Sequence, residues 1–379
     1  MMQRNNYSLI SFFSGVGLLD LGLEKSGFSI DFINEIYPPF IEANKFSRKK
    51  MKLADPYYGY HCGDIKSFLG KDEERLIEIT SDIRSRKNIL GMVGGPPCPD
   101  FSVGGKNKGQ HGNNGKLTLD YIKVILKHKP EFFIFENVKG LWRTKRHREF
   151  YESLKTKLKK GGYVIYDDLL NSIEYGVPQD RDRIIMFGIY KDTIPSISET
   201  CLDMVLPGNI FNFNPIKKYA GRKAFEYCWP TRNLFTGEEK LPMSNGIPKN
   251  LTIEYWFKKN DVDNHANSKH YFKPRVGLYR FQTVDEGDVS RKSYKRPHRW
   301  RYSPTACYGN NEVHLHPYKE RRLTAAETLA IQSMPRQFVL PKEMSLTNMF
   351  KSIGNGVPYL MSKGIARPIL NFMEKYAYK

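Results

Sequence analysis

The 379-residue sequence has no run approaching the roughly 20 apolar residues of a bilayer-spanning helix, which sets aside a helical membrane protein. Its first residues, MMQRNNYSLISFF, carry one Arg and a short apolar run that leads into a glycine loop. They read as a first strand, not as a signal peptide. Cysteine is sparse: five residues, at 62, 98, 201, 228 and 307, with no CxxC. An odd, scattered set provides no disulfide framework and fits a reducing cytoplasm. The nine histidines make no metal pattern; His314 and His316 lack the neighbours of a zinc site and read as a surface loop, so no metal is expected. Internal repeats and low-complexity tracts are missing too. The glycine loop is not GxGxxG, because Leu18, Leu19 and Asp20 follow Gly17, and this disfavours a pyrophosphate-binding dinucleotide site.

What the sequence does have is positive charge. Sixty Lys and Arg face 40 Asp and Glu, a formal charge of +20. Such a balance fits either a polyanion partner or a merely solvated basic surface. With 40% hydrophobic residues the chain can bury a large core, and its length suggests one large domain with a smaller one. Apolar runs at Tyr7–Phe13, Ser29–Asn34, Ile89–Val93, Glu131–Phe135 and Arg183–Ile189 read as buried strands. Leu18–Lys25, Glu73–Arg84, Thr118–Lys127 and His147–Lys159 read as helices between them. That alternation predicts an α/β fold with a mostly parallel sheet, whose ligands bind beyond the carboxyl ends of the strands. Residues 191–320 lose this rhythm and are rich in Pro, Asn, Lys, Arg and aromatics. Helical pattern returns at Leu323–Met334 and Tyr359–Tyr376.

The polar residues that follow the strands are chemically suggestive. After the first strand comes Phe13-Ser-Gly15-Val-Gly17, a turn that lets the backbone lie close to a ligand. The next strand ends at Glu35, which suits ribose hydroxyls or a solvated helix start. Asp64 suits an adenine amino group or a helix N-cap. In that order the three describe a nucleoside site. The fourth strand runs into Gly94-Gly95-Pro96-Pro97-Cys98, a loop too rigid to bury its cysteine as packing. The fifth ends at Glu136, where partial desolvation raises a carboxyl pKa and lets it hold a proton; capping the following helix is the alternative.

These motifs, with Gln179-Asp-Arg181-Asp-Arg183, Arg321–Thr324 through Gln332 and Pro335, and Lys351–Pro358, resemble in order those of the cytosine-5 DNA methyltransferase family. The resemblance covers nearly the whole chain. It implies an S-adenosylmethionine-dependent, Rossmann-like catalytic domain with an irregular target-recognition domain inserted. Residues 1–190 and 321–379 would form the former and 191–320 the latter. Phe13, Gly15, Gly17, Glu35, Ile36, Asp64, Ile65, Pro97 and Asn355 would line the cofactor pocket. Cys98 would be the nucleophile, adding to carbon 6 of cytosine so that carbon 5 becomes nucleophilic enough to take a methyl group. Glu136 would neutralise ring nitrogen 3, and Arg183 would contact the base and orient Glu136. Ser102 and Arg181 would face DNA near the flipped nucleotide; for Arg181 a surface salt-bridge run with Asp180 and Asp182 is the alternative. Three positions depart from the family pattern: Leu18 replaces a common third glycine, Pro99 a common Gln, and Gly356 a common Ala or Ser.

A base inside a duplex must be flipped out to be reached. The glycine-rich segment after Cys98, with Lys106 and Lys108, suits a loop closing over it. The basic and aromatic stretch Lys269–Arg301, including Arg291, Arg296 and Arg299, suits a DNA groove. The expected partners are double-stranded DNA, bound by a monomer, and a cognate restriction endonuclease; no membrane is expected, and the family context is the bacterial cytoplasm. An RNA cytosine-5 methyltransferase and a non-catalytic DNA-binding partner are the rival readings.

Overall fold

The computed structural model describes residues 6–97, 113–274, 277–305 and 312–378. The first part of the chain alternates as the sequence predicts: β1 (Tyr7–Phe12), α1 (Leu18–Glu24), β2 (Ser29–Glu35), α2 (Pro38–Lys50), β3 (Tyr60–Cys62), α3 (Glu73–Ser85) and β4 (Ile89–Gly94). It continues through α4 (Asn113–His128), β5 (Phe132–Val138), α5 (Gly140–Arg143), α6 (Lys145–Lys160), β6 (Tyr163–Asn171), β7 (Gln179–Asp180) and β8 (Asp182–Tyr190). Seven strands form one sheet in the order β3-β2-β1-β4-β5-β8-β6. Only β8 runs antiparallel to its neighbours, β5 and β6.

The central strands are apolar and buried on both faces, as helices on each side of a parallel sheet require. Leu9, Ile30, Val93 and Ile134 point into one core cluster, and Ile10, Phe32, Met92 and Phe133 into another. Helix α2 and strand β6 are among the elements that the sequence patterning does not reveal. Helix α2 opens on Pro38-Pro39, which looks like a breaker, yet proline is favoured in a first helical turn because its missing N–H would have no partner there. Strand β6 carries Asp167 and Asp168 in mid-run; it lies at the sheet edge, where Asp167 meets Tyr151 and Lys155.

The chain does not leave this body at residue 190. Ile194, Cys201, Leu206, Phe211 and Phe213 still pack into the first core cluster. Beyond Phe213 regular structure is scarce: short 3-10 turns, α7 (Ile253–Asn260), α8 (Arg280–Thr283) and β9 (Ser303–Pro304), which pairs with β7. Small clusters around Trp229, Leu251 and Trp300, and around Phe281 and Leu315, hold this part together. The return is helical: α9 (Ala325–Ile331), α10 (Leu346–Asn355) and α11 (Tyr359–Tyr376). Helix α11 packs on α1, with the Ser362 hydroxyl donating to Leu19 O. Helix α10, unforeseen from sequence, is N-capped by Ser345 and buries Met349, Phe350 and Ile353 against α9.

His314 and His316 correct one expectation. They are 3% and 1% exposed, not on a surface loop. His316 Nδ1 accepts from the backbone of Tyr318 and Lys319, while Nε2 faces Glu327 at 3.4 Å. Burial alone would raise the Glu327 pKa, but His316 and Arg321 together hold it well below the usual range. The pair is a structural anchor. No helix among the described residues is long and apolar enough to cross a membrane.

Candidate active site

Strand order reverses between β1 and β4, the kind of switch point beyond whose carboxyl strand ends open α/β sheets bind their ligands. Register makes Phe12, Gly94 and Phe135 neighbours across three strands, so the segments after them emerge side by side. On the β1 side, Phe13 adopts a left-handed conformation (φ 54°), uncommon for a bulky residue and typical of functional turns. Gly15 faces open space, since a Cβ there would meet nothing within 4 Å. Gly17 caps α1.

Glu35 joins this loop to β2. Its two carboxylate oxygens accept from Gly15 N at 2.9 Å and Tyr37 N at 3.0 Å. Burial pushes its pKa up, against the lowering effect of those backbone bonds. Beside it Ile36 is 58% exposed, an apolar surface just beyond the end of β2. Asp64 is half-buried and caps a 3-10 turn by accepting from Lys66 N, so the N-cap expected as its alternative is present. The Ile65 side chain is 2% exposed and packs with Phe12, Phe32 and Phe68, so it lies in the core beneath the expected pocket lining. Pro97 is half-buried and Asn355 exposed. The arrangement fits S-adenosylmethionine on two further counts. Ser14 Oγ is buried without a hydrogen-bond partner among the described residues. Tyr37, which the sequence reading passed over, is 39% exposed beside Ile36 and hydrogen-bonded to Asn348 of α10.

On the β5 side, Glu136 is 7% exposed. Arg183 pairs with Val138 in the β5–β8 ladder, two residues from Glu136 and so on the same face. Its Nε lies 2.8 Å from Glu136 Oε1, an ion pair whose N–H is not squarely aimed at the oxygen. Burial raises the Glu136 pKa despite Arg183 and Arg181, which lower it. The loop after β4 runs directly over this carboxylate. A Cβ on Gly95 would sit 2.6 Å from Glu136 Oε2, so any larger residue there would force the carboxylate to move. Asn137 is fully buried below it. Cys98, three residues on, lies outside the described residues, as do Ser102, Lys106 and Lys108.

The Gln179–Arg183 segment alternates inward and outward. Gln179, Arg181 and Arg183 are buried, while Asp180 and Asp182 are half-exposed and held by Asn171, with Lys139 on Asp182. Burial takes Arg181 off the surface on which the salt-bridge run was expected. The expected DNA-facing position is also corrected: Arg181 is 1% exposed and its Nη2 donates to Gly354 O and Gly356 O.

Two of the arginines expected on a DNA groove point inward. Arg296 is fully buried, donating to the carbonyls of Val284, His316 and Phe281 and stacking 3.7 Å over Phe235; burial pushes its pKa down to about 10. Arg299 makes a bidentate pair with Glu286, both contacts 2.8 Å, and caps the carbonyls of Glu238 and Glu239. Irregular chain leaves many carbonyls without ladder partners, and these two guanidiniums supply donors. Arg291 remains exposed.

Residues 7–371 match the family model described as C-5 cytosine-specific DNA methylase. The Type II methyltransferase M.NmeDI of Neisseria meningitidis serogroup C is 48% identical over 377 residues, 99% of this chain and 86% of that protein. M.FnuDI of Fusobacterium nucleatum, also a Type II methyltransferase, is 28% identical over 95% of this chain and 93% of its own. Among solved structures, a DNA modification methyltransferase encoded within an E. coli prophage matches with TM-score 0.64 at 20% identity, covering 97% of this chain and 99% of that one, a likeness of fold alone. Matched from its first strand into its last helix, the chain belongs to the C-5 cytosine-specific DNA methylase family and is a DNA (cytosine-5) methyltransferase using S-adenosylmethionine.

Proposed function

We propose that this enzyme is the modification methyltransferase of a restriction–modification system, with Cys98 as its nucleophile and Glu136 as the acid that holds the cytosine edge. The observation that carries the residue assignment is the contact of Gly95 with Glu136, which brings the loop leading to Cys98 onto a buried carboxyl of raised pKa. S-adenosylmethionine, when bound, supplies an electrophilic methyl. Glu35 would take the ribose hydroxyls, with Ile36 and Asp64 against the base and Asn355 at the pocket wall. The Cys98 thiolate adds to carbon 6 of a flipped cytosine, and the protonated Glu136 neutralises the charge that reaches nitrogen 3. Carbon 5, now part of an enamine, would form a bond to the methyl as the methyl–sulfonium bond breaks, leaving a neutral thioether; loss of the carbon 5 proton to solvent would then expel Cys98 as a thiolate and restore the ring. Arg183 holds Glu136 in place and presents a permanent cation to the base.

Residues 214–320, with their exposed Arg291 and Lys292, would form the target-recognition domain, and Ser102, Lys106 and Lys108 would meet the opened duplex. The enzyme would act as a monomer on DNA in the bacterial cytoplasm, beside an endonuclease reading the same site; the names of its Type II relatives favour that pairing. The test is expression in a methylation-free host followed by bisulfite sequencing. The expected result is 5-methylcytosine at one position of one short sequence. Methyl groups in RNA but not in DNA would overturn the reading.

A further inference from the structure

The last carbonyls of a helix have no partners within it. At the end of α10 they are met by side chains from distant parts of the chain. Gln332 Nε2 donates to Ile353 O at 2.9 Å, and Arg181 Nη2 donates to Gly354 O at 2.7 Å and Gly356 O at 2.9 Å. A cation at a helix C-terminus is also electrostatically favoured. Asn355 lies between the two carbonyls that Arg181 holds, and it is exposed while its neighbours are clamped. Leu18, the first residue of α1 after the glycine loop, closes the other side. It is 2% exposed, and a Cβ on Gly356 would come within 2.5 Å of Leu18 Cδ2 and 3.0 Å of its Cβ. Two departures from the family pattern thus fit each other: bulk gained at 18 occupies the space left by glycine at 356.

We propose that Arg181 is a positioning residue for the cofactor pocket. It fixes the Gly354–Gly356 segment against Leu18 and so holds Asn355 at the pocket wall. Because it stands two residues before Arg183 on the same inward face, it also ties that wall to the strand bearing the partner of Glu136. This rests on the reading of Asn355 as a cofactor-lining residue.

The test separates cofactor from DNA affinity. S-adenosylmethionine binding is measured by titration calorimetry, and duplex binding by fluorescence anisotropy without cofactor. Lysine is shorter and lacks the planar fork that places Nη2 between the two carbonyls, so Arg181→Lys should lose at least one of these bonds, weaken S-adenosylmethionine about tenfold, the worth of one hydrogen bond to a charged group, and leave duplex affinity unchanged. Weaker duplex binding with unchanged cofactor binding would overturn the proposal. Should Arg181→Lys not fold, Gly356→Ala disturbs the same segment: it should weaken cofactor binding, and adding Leu18→Gly should restore it. Absence of either effect would count against the proposal. Asn355→Ala tells the two readings apart. If it leaves cofactor affinity unchanged, the pocket assignment fails; if it weakens binding while Arg181→Lys does not, only the positioning role fails.

Discussion

Glu136 shows how one side chain acquires a chemical role from its surroundings. It sits on a strand whose other residues are apolar, so burial raises its pKa, and Arg183 keeps it oriented without reversing that shift. In the proposed mechanism this acid holds a proton when charge reaches the cytosine ring, so the rate should fall on the alkaline side as Glu136 ionises. Glu136→Gln should lower kcat by about 10²-fold or more, the scale of general acid catalysis, and abolish that alkaline limb while cofactor affinity is retained. A variant whose pH–rate profile matches wild type would exclude the role. Glu136 is legible in the sequence because the carboxyl ends of parallel strands gather at one edge; Arg183 stands out only through the family resemblance, since β8 runs antiparallel and brings its first residues to that edge. The partners of Arg181 are not legible in the sequence: both arginines follow the same alternation inward, but Arg183 meets a carboxylate and Arg181 two carbonyls from the end of α10.

At the scale of elements, α1 couples the glycine loop to the body of the domain. Its Asp20 is 2% exposed and accepts from Ser11 Oγ at 2.8 Å; burial pushes its pKa up to about 7. A folded-state pKa above the unfolded value means that the fold binds the extra proton. The stabilisation is therefore complete below about pH 4 and lost as pH rises through about 7. Asp20→Asn should raise Tm at pH 8 and give little gain near pH 4; a gain independent of pH would contradict the account. The strands and helices around this region were readable from apolar runs and their spacing. Helix α2 and strand β6 were not, because prolines at a helix start and aspartates on an edge strand carry the signature of loops. Helix α10 is short, and its capping serine follows another loop-like stretch.

For the molecule as a whole, the basic composition divides into two populations. Some arginines are the internal scaffold of the irregular region beyond Phe213, and others remain on its surface. Composition cannot separate them, because a guanidinium inside a carbonyl cage and one on a phosphate occupy the same kind of sequence. Arg296→Ala should lower stability by about 3 kcal/mol or more, since it strips donors from several buried carbonyls. Arg291→Ala should leave Tm unchanged and reduce the salt dependence of duplex binding by about one unit of slope. Equal Tm losses for both would contradict the division. Residues 194–213 still pack into the catalytic core, and further on Ile253, Trp256, Phe257 and Val262 pack with Val16, Leu18 and Leu21, so the irregular region is seated on the α/β body along part of its length.

The central claim is that catalysis proceeds through a covalent bond from Cys98 to the target cytosine. Duplex DNA carrying 5-fluorocytosine at the mapped site blocks the loss of the proton that releases the enzyme. Incubated with S-adenosylmethionine, the wild-type protein should form a denaturation-resistant adduct whose peptide map ends at Cys98, and Cys98→Ala should form no adduct and no 5-methylcytosine. Methylation surviving in Cys98→Ala, or an adduct on another residue, would contradict the account.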